Sequence, residues 1–139
     1  MVIGVDFDGT LVKDCFPKVG ETLPGAVETL KWLNSKGVKI ILYTMRSHQQ
    51  GLNPETEKLE EVKEGMTSVL QDAINWYKEN GVNLWAVNYN PDQTWSNSRK
   101  VFANHYIDDR ALGTPLTKEG FVDWVRMKVL LEKLIGGEK

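Results

Sequence analysis

The sequence predicts one α/β domain around a mainly parallel sheet with helices on both faces, and three observations carry that expectation. Short apolar runs alternate with segments of helical periodicity, turn residues punctuate them at the spacing of βαβ units, and one run is apolar almost throughout. A chain of 139 residues fits a single domain over 1–139, which can bury about two thirds of its unfolded surface.

The expected strands are Val2 to Phe7, Val38 to Thr44, Val82 to Tyr89 and Phe102 to Ile107. Within the second, Val38-Lys39-Ile40-Ile41-Leu42-Tyr43 is nearly continuous in β-branched and apolar side chains, as a strand buried on both sides must be. Pro24 opens a helix that carries Ala26, Val27, Leu30 and Leu33 at helical spacing, and Gly37 closes it. The next helix sets Met66, Leu70, Ala73, Ile74 and Tyr77 on one face, with Thr67 or Ser68 as cap and Gly81 as stop. A final helix is expected from about Thr117 through Phe121, Val125 and Leu130 to Gly136-Gly137. Trp32, Trp76, Trp85 and Trp124 fall inside elements and read as packing residues.

Two stretches do not fit the alternation. Arg46 to Gly65 is polar and holds the acidic run Glu55 to Glu61, so it reads as a loop with at most one exposed helical turn. Asn88 to Lys100 is rich in Asn and Ser, carries Pro91 and reads as a long, turn-rich loop.

Bulk charge narrows the partners. With 17 basic against 19 acidic side chains the net charge is -2, which gives no footprint for duplex DNA or an anionic membrane. The single cysteine, Cys15, has no partner for an intramolecular disulfide, and no apolar run approaches the ~18 residues of a membrane span. Without a basic, signal-like leader the expectation is a cytoplasmic protein.

In open parallel sheets ligands bind beyond the carboxyl ends of the strands. The first expected strand ends in Asp6-Phe7-Asp8-Gly9-Thr10, the second in Thr44-Met45-Arg46, the fourth in Asp108-Asp109-Arg110. Carboxylates crowded on one rim repel one another unless a cation neutralises them, and hard oxygen donors without His or Cys suit Mg²⁺. Magnesium commonly shares its shell with phosphate, which points to phosphoryl transfer. Asp6 and Asp8, two apart, leave an extended strand on the same side, so one can attack phosphorus while the other exchanges protons. Thr44 would bond a phosphoryl oxygen, Lys100 would hold nucleophile and phosphate by charge, and Asp108 or Asp109 would anchor the metal. Phe7, Gly9, Thr10, Met45 and Arg46 flank these groups as candidate phosphate and substrate contacts. For Arg46 a surface salt bridge is an equal alternative. Tyr89 and Trp95 read as loop anchors, with stacking on a base as the alternative.

Together these residues resemble the haloacid dehalogenase-like (HAD) superfamily of phosphohydrolases, with Val5-Asp6-Phe7-Asp8-Gly9-Thr10-Leu11 similar to its first motif. The resemblance implies a Rossmann-like three-layer α/β/α sandwich. It implies Asp6 as nucleophile, Asp8 as general acid/base whose backbone carbonyl also meets Mg²⁺, and Thr44 as the second-motif hydroxyl. Lys100, or its neighbour Arg99, is then the third-motif cation, and Asp108 is a metal ligand with Asp109 as its partner or substitute. Only short segments stand where relatives carry a cap, so a member without a separate cap domain is expected, which makes a homo-oligomer plausible by analogy. The substrate would be a small phosphomonoester. The alternative is a phospho-acceptor or binding module of the same fold that hydrolyses slowly or not at all.

Overall fold

The computed structural model describes residues 1–136, so Gly137 lies outside them. The order is β1 (Val2–Val5), α1 (Ala26–Ser35), β2 (Lys39–Leu42), β3 (Gln50–Leu52), β4 (Leu59–Glu61), α2 (Val69–Glu79), β5 (Ala86–Val87), β6 (His105–Ile107) and α3 (Trp124–Gly136). Strands β5, β2, β1 and β6, in that spatial order, form one parallel sheet. The chain is therefore α/β, with a parallel four-stranded sheet and three helices. No helix among the described residues is long and apolar enough to cross a membrane.

All four expected strands form, each trimmed to its hydrogen-bonded centre. In the register Val5 lies level with Leu42 on one side and Ile107 on the other. Asp6, Tyr43 and Asp108 are the next residues on three adjacent strands, so they leave the sheet at one edge. That alignment positions the site.

Alternation divides the sheet into two faces. Ile3, Val5, Ile40 and Leu42 share a core with Leu30 and Leu33 of α1, Leu70, Ala73, Trp76 and Tyr77 of α2, and Trp124, Met127 and Leu131 of α3. Ile41 and Ala86 face the other way and pack with Val101, flanked by Val2 and Trp85. All three helices thus feed one cluster, whereas the irregular segment after β5 supplies Val101 to the opposite side. Where a second helical layer was expected, this chain lays a polar, turn-rich segment that cannot sustain a helix.

Three boundaries differ from the sequence reading. The segment Arg46 to Gly65 contains an antiparallel hairpin, β3 on β4 with Gly51 opposite Glu60, instead of a loop with one helical turn. Helix α2 starts after Ser68, whose hydroxyl accepts from the Gln71 amide at 2.9 Å, so Met66 precedes the helix. Helix α3 starts at Trp124 because residues 117–122 are spent on a tight turn. Gly120 there takes φ 87°, and Leu116 bridges Val122.

Candidate active site

The segment that carries Asp6 and Asp8 is built by the turn that follows β1. The Asp6 amide donates to the Ile107 carbonyl at 2.9 Å, and the Leu11 amide to the Phe7 carbonyl at 2.8 Å, so Asp6 is held just past the end of β1 and the chain then curls back. Phe7 is buried edge-on to Trp76, ring centroids 5.8 Å apart, which leaves its flanking neighbours Asp6 and Asp8 to line the cleft. Gly9 takes φ 82°, and a Cβ there would stand 2.5 Å from Asp109 Oδ2, so glycine is required twice over. The buried Thr10 hydroxyl lies 3.3 Å from Asp6 Oδ2 and 3.2 Å from Asp109 Oδ1, and accepts from the Asp109 amide at 3.1 Å. Its carbonyl accepts from Trp124 Nε1 at 2.6 Å, which ties the loop to α3.

Asp6, Asp108 and Asp109 each offer an oxygen within 4.8 Å of the others. Burial pushes the Asp6 carboxyl up to about 7, aided by the charges of Asp108 and Asp109, and Asp109 is raised as well, chiefly by burial. Burial, with the charge of Asp6, also lifts the phenol of Tyr77, whose hydroxyl is enclosed without a hydrogen-bond partner. Three hard oxygens without nitrogen or sulfur fit Mg²⁺, and a divalent ion would supply the charge they lack.

Protonation of Asp6 would therefore compete with a metal ion held by these three carboxylates. In metal-free protein this group's stabilising contribution is full below about pH 4 and is lost as pH rises through 7, because the folded state keeps a proton that the unfolded chain has released. Mg²⁺ should reverse the loss. In thermal melts the shift caused by saturating Mg²⁺ should be small near about pH 5.5 and grow steadily through about pH 8. A shift independent of pH would mean the ion binds elsewhere.

Asp8 is engaged differently. Both its oxygens accept from Arg46, at 2.8 Å from Nε and 2.7 Å from Nη2. Arg46 is 2% exposed, and its remaining N–H groups go to the carbonyls of Pro17 (3.3 Å), Lys18 (3.0 Å) and Val69 (3.0 Å). Its guanidinium also lies 5.0 Å from the Phe7 ring and 5.2 Å from the Phe16 ring. With five donors spent inside the protein, Arg46 holds Asp8 in place and keeps none for a substrate.

A cleft of about 700 Å³ opens over these groups, lined by Asp6, Asp8, Thr44, Met45 and Asp108 among others. The Thr44 hydroxyl accepts from the Arg46 amide at 3.1 Å, and the Thr44 amide donates to Asn88 Oδ1 at 2.8 Å. Lys100 and Arg99 are exposed and do not line the cleft. The cation that does so beside Arg46 is Arg110, whose amide bonds Asp108 Oδ1 at 2.9 Å. Asp14, Phe16, Tyr43 and Gln50 also line it and escaped the sequence reading. Tyr43 and Arg110 adjoin strand-end residues that were recognised, which is a usable signal, whereas Asp14 and Phe16 carry none. Tyr89 and Trp95 lie outside the lining, and Trp95 packs edge-on to Phe102 at 5.6 Å. His48 Nδ1 meets Ser68 Oγ at 3.0 Å, at the start of α2.

Fold and site together define an α/β protein with a carboxylate-lined cleft at the carboxyl edge of a parallel sheet. A solved structure of a conserved protein coded by a Bacteroides thetaiotaomicron locus is 32% identical, with a TM-score of 0.69, over 100% of this chain and 93% of its own. The chain belongs to the same family as that conserved protein. No family model matches it, and neither does any curated protein.

Proposed function

We propose that the chain is a Mg²⁺-dependent phosphomonoester hydrolase of the HAD superfamily, with the Rossmann-like fold that membership entails, and that Asp6 is its nucleophile. One observation carries the reading: Asp6 directly follows a central strand and offers an oxygen within 4.8 Å of two further carboxylates, while Asp8, two residues on, is held by a buried arginine beside the same cleft.

An Asp6 carboxylate oxygen attacks phosphorus, the bond from phosphorus to the ester oxygen breaks, and the departing oxygen takes a proton from Asp8. Asp8 then accepts a proton from water as that water attacks the aspartyl-phosphate, releasing inorganic phosphate and restoring both carboxyl groups. Thr44 donates its hydroxyl to a phosphoryl oxygen, and Arg110, which lines the cleft, takes the charge role that the sequence reading gave to Lys100. Asp6, Asp108 and Asp109 would hold Mg²⁺, with the Asp8 carbonyl as a further donor, and the ion would supply neutralisation of charge on the phosphoryl oxygens.

The second reading, a phospho-acceptor that turns over slowly, draws on the same contact: an Asp8 bound at both oxygens has less freedom to shuttle protons. Phospho-enzyme lifetime separates the two. With an acyl or aryl phosphate donor and Mg²⁺, the wild type should release phosphate continuously, and Asp8→Asn should prolong the phospho-enzyme by about 100-fold or more. One stable phosphate per wild-type chain, with no release, would make the protein an acceptor.

A further inference from the structure

Beyond the carboxylates the cleft changes chemistry. At about 700 Å³ it is far larger than a phosphoryl group and falls in the range that encloses a whole small-molecule ligand. Its lining includes Phe16, Tyr43 and Met45, which are 45%, 36% and 100% exposed. Large apolar side chains left in water beside charged ones are costly for folding and useful for binding.

Both rings are fixed before any ligand arrives. Phe16 lies against the Arg46 guanidinium, and the carbonyls of the next two residues accept from that same side chain. Tyr43 leans on Tyr106, ring centroids 6.0 Å apart and planes at 45°. An ion pair of 3.0 Å between Lys18 and Glu57 joins the Phe16 segment to the β3–β4 hairpin, which contributes Gln50 to the lining. Pre-placed aromatic rings are low-entropy platforms for another flat ring.

We propose that the group released from phosphate carries a planar aromatic ring, as a nucleoside or an aryl alcohol does, with that ring seated against Phe16 and Tyr43. For the phosphate end this rests on the phosphohydrolase reading; for the other end it rests on the lining alone. A sugar phosphate would need many polar partners, and outside the proposed reaction centre the cleft offers few, chiefly Asp14, Gln50 and the Tyr43 hydroxyl. A polynucleotide end would bring further phosphates to a cleft with Asp6, Asp8, Asp14 and Asp108 against two arginines, one of them neutralised by Asp8.

The test uses the full-length Asp6→Asn protein with Mg²⁺, titrated calorimetrically with thymidine 5′-monophosphate, phenyl phosphate, ribose 5-phosphate and a 5′-phosphorylated oligonucleotide. The better aromatic ligand should bind about 5- to 100-fold more tightly than ribose 5-phosphate, the range expected of ring stacking. Thymidine phosphate ahead of phenyl phosphate assigns a nucleoside, and the reverse order assigns an aryl alcohol. The margin should shrink in Tyr43→Leu and in Phe16→Leu, with thermal melts to show that each variant is folded; Met45→Ala, at a fully exposed position, serves if either is not. Equal binding of ribose 5-phosphate, preference for the oligonucleotide, or no aromatic binding overturns the inference. An aromatic preference in binding, with a wild type that hydrolyses none of these esters, would overturn the phosphohydrolase reading and leave standing only the aromatic seat.

Discussion

Asp6→Asn is expected to lower Mg²⁺-dependent phosphate release by about 10⁴-fold or more while leaving the fold intact. The amide keeps the shape of the carboxylate but cannot attack phosphorus, so no covalent intermediate forms. Its effect on stability has the opposite sign. Burial and the neighbouring Asp108 and Asp109 oppose ionisation of Asp6, so a neutral amide relieves metal-free protein above about pH 7. Loss of turnover together with an equal or higher melting temperature is the signature to look for, measured by phosphate release and by thermal denaturation at pH 8. Turnover within about tenfold of wild type would remove Asp6 from the role of nucleophile.

Arg46→Ala should be the most destabilising of the cleft substitutions, costing about 3–5 kcal/mol in denaturant unfolding. Three losses combine. The Asp8 carboxylate loses both hydrogen bonds from Arg46, the carbonyls of Pro17, Lys18 and Val69 lose donors, and the Phe7 and Phe16 rings lose the guanidinium they lie against. Since whole domains are stable by only about 5–15 kcal/mol, much of the margin disappears. Arg46→Lys restores charge without the planar fork and should recover only part of the loss. A cost below about 1 kcal/mol would show that Asp8 is effectively solvated and that the pair is an ordinary surface contact.

That arginine shows where sequence reading stops. A cation in a polar stretch looks solvated, and its burial depends on acceptors from Asp8, Pro17, Lys18 and Val69, which no local pattern brings together. Lys100 is the converse. It precedes a recognisable strand, yet Val101 and Ala103 are buried in the segment leading to β6, and Lys100 itself is left exposed outside the cleft. The β3–β4 hairpin was illegible because each strand is three residues long and Gln50-Gly51-Leu52 offers no alternation long enough to read. What was legible follows from short-range physics: β-branched runs made β1 and β2, a glycine stop closed α1, and the polar residues ending each run marked the edge where Asp6, Asp8, Thr44 and Asp108 meet.

The bond from Trp124 to the Thr10 carbonyl spans 114 positions, and Asp6 meets Asp108 and Asp109 only once β6 has paired with β1. A chain in which β6 had not yet paired with β1 would therefore carry Asp6 without the two carboxylates that the fold sets beside it. The carboxylate cluster is thus a property of the assembled sheet and not of the Asp6 segment alone, because both of its other members follow β6.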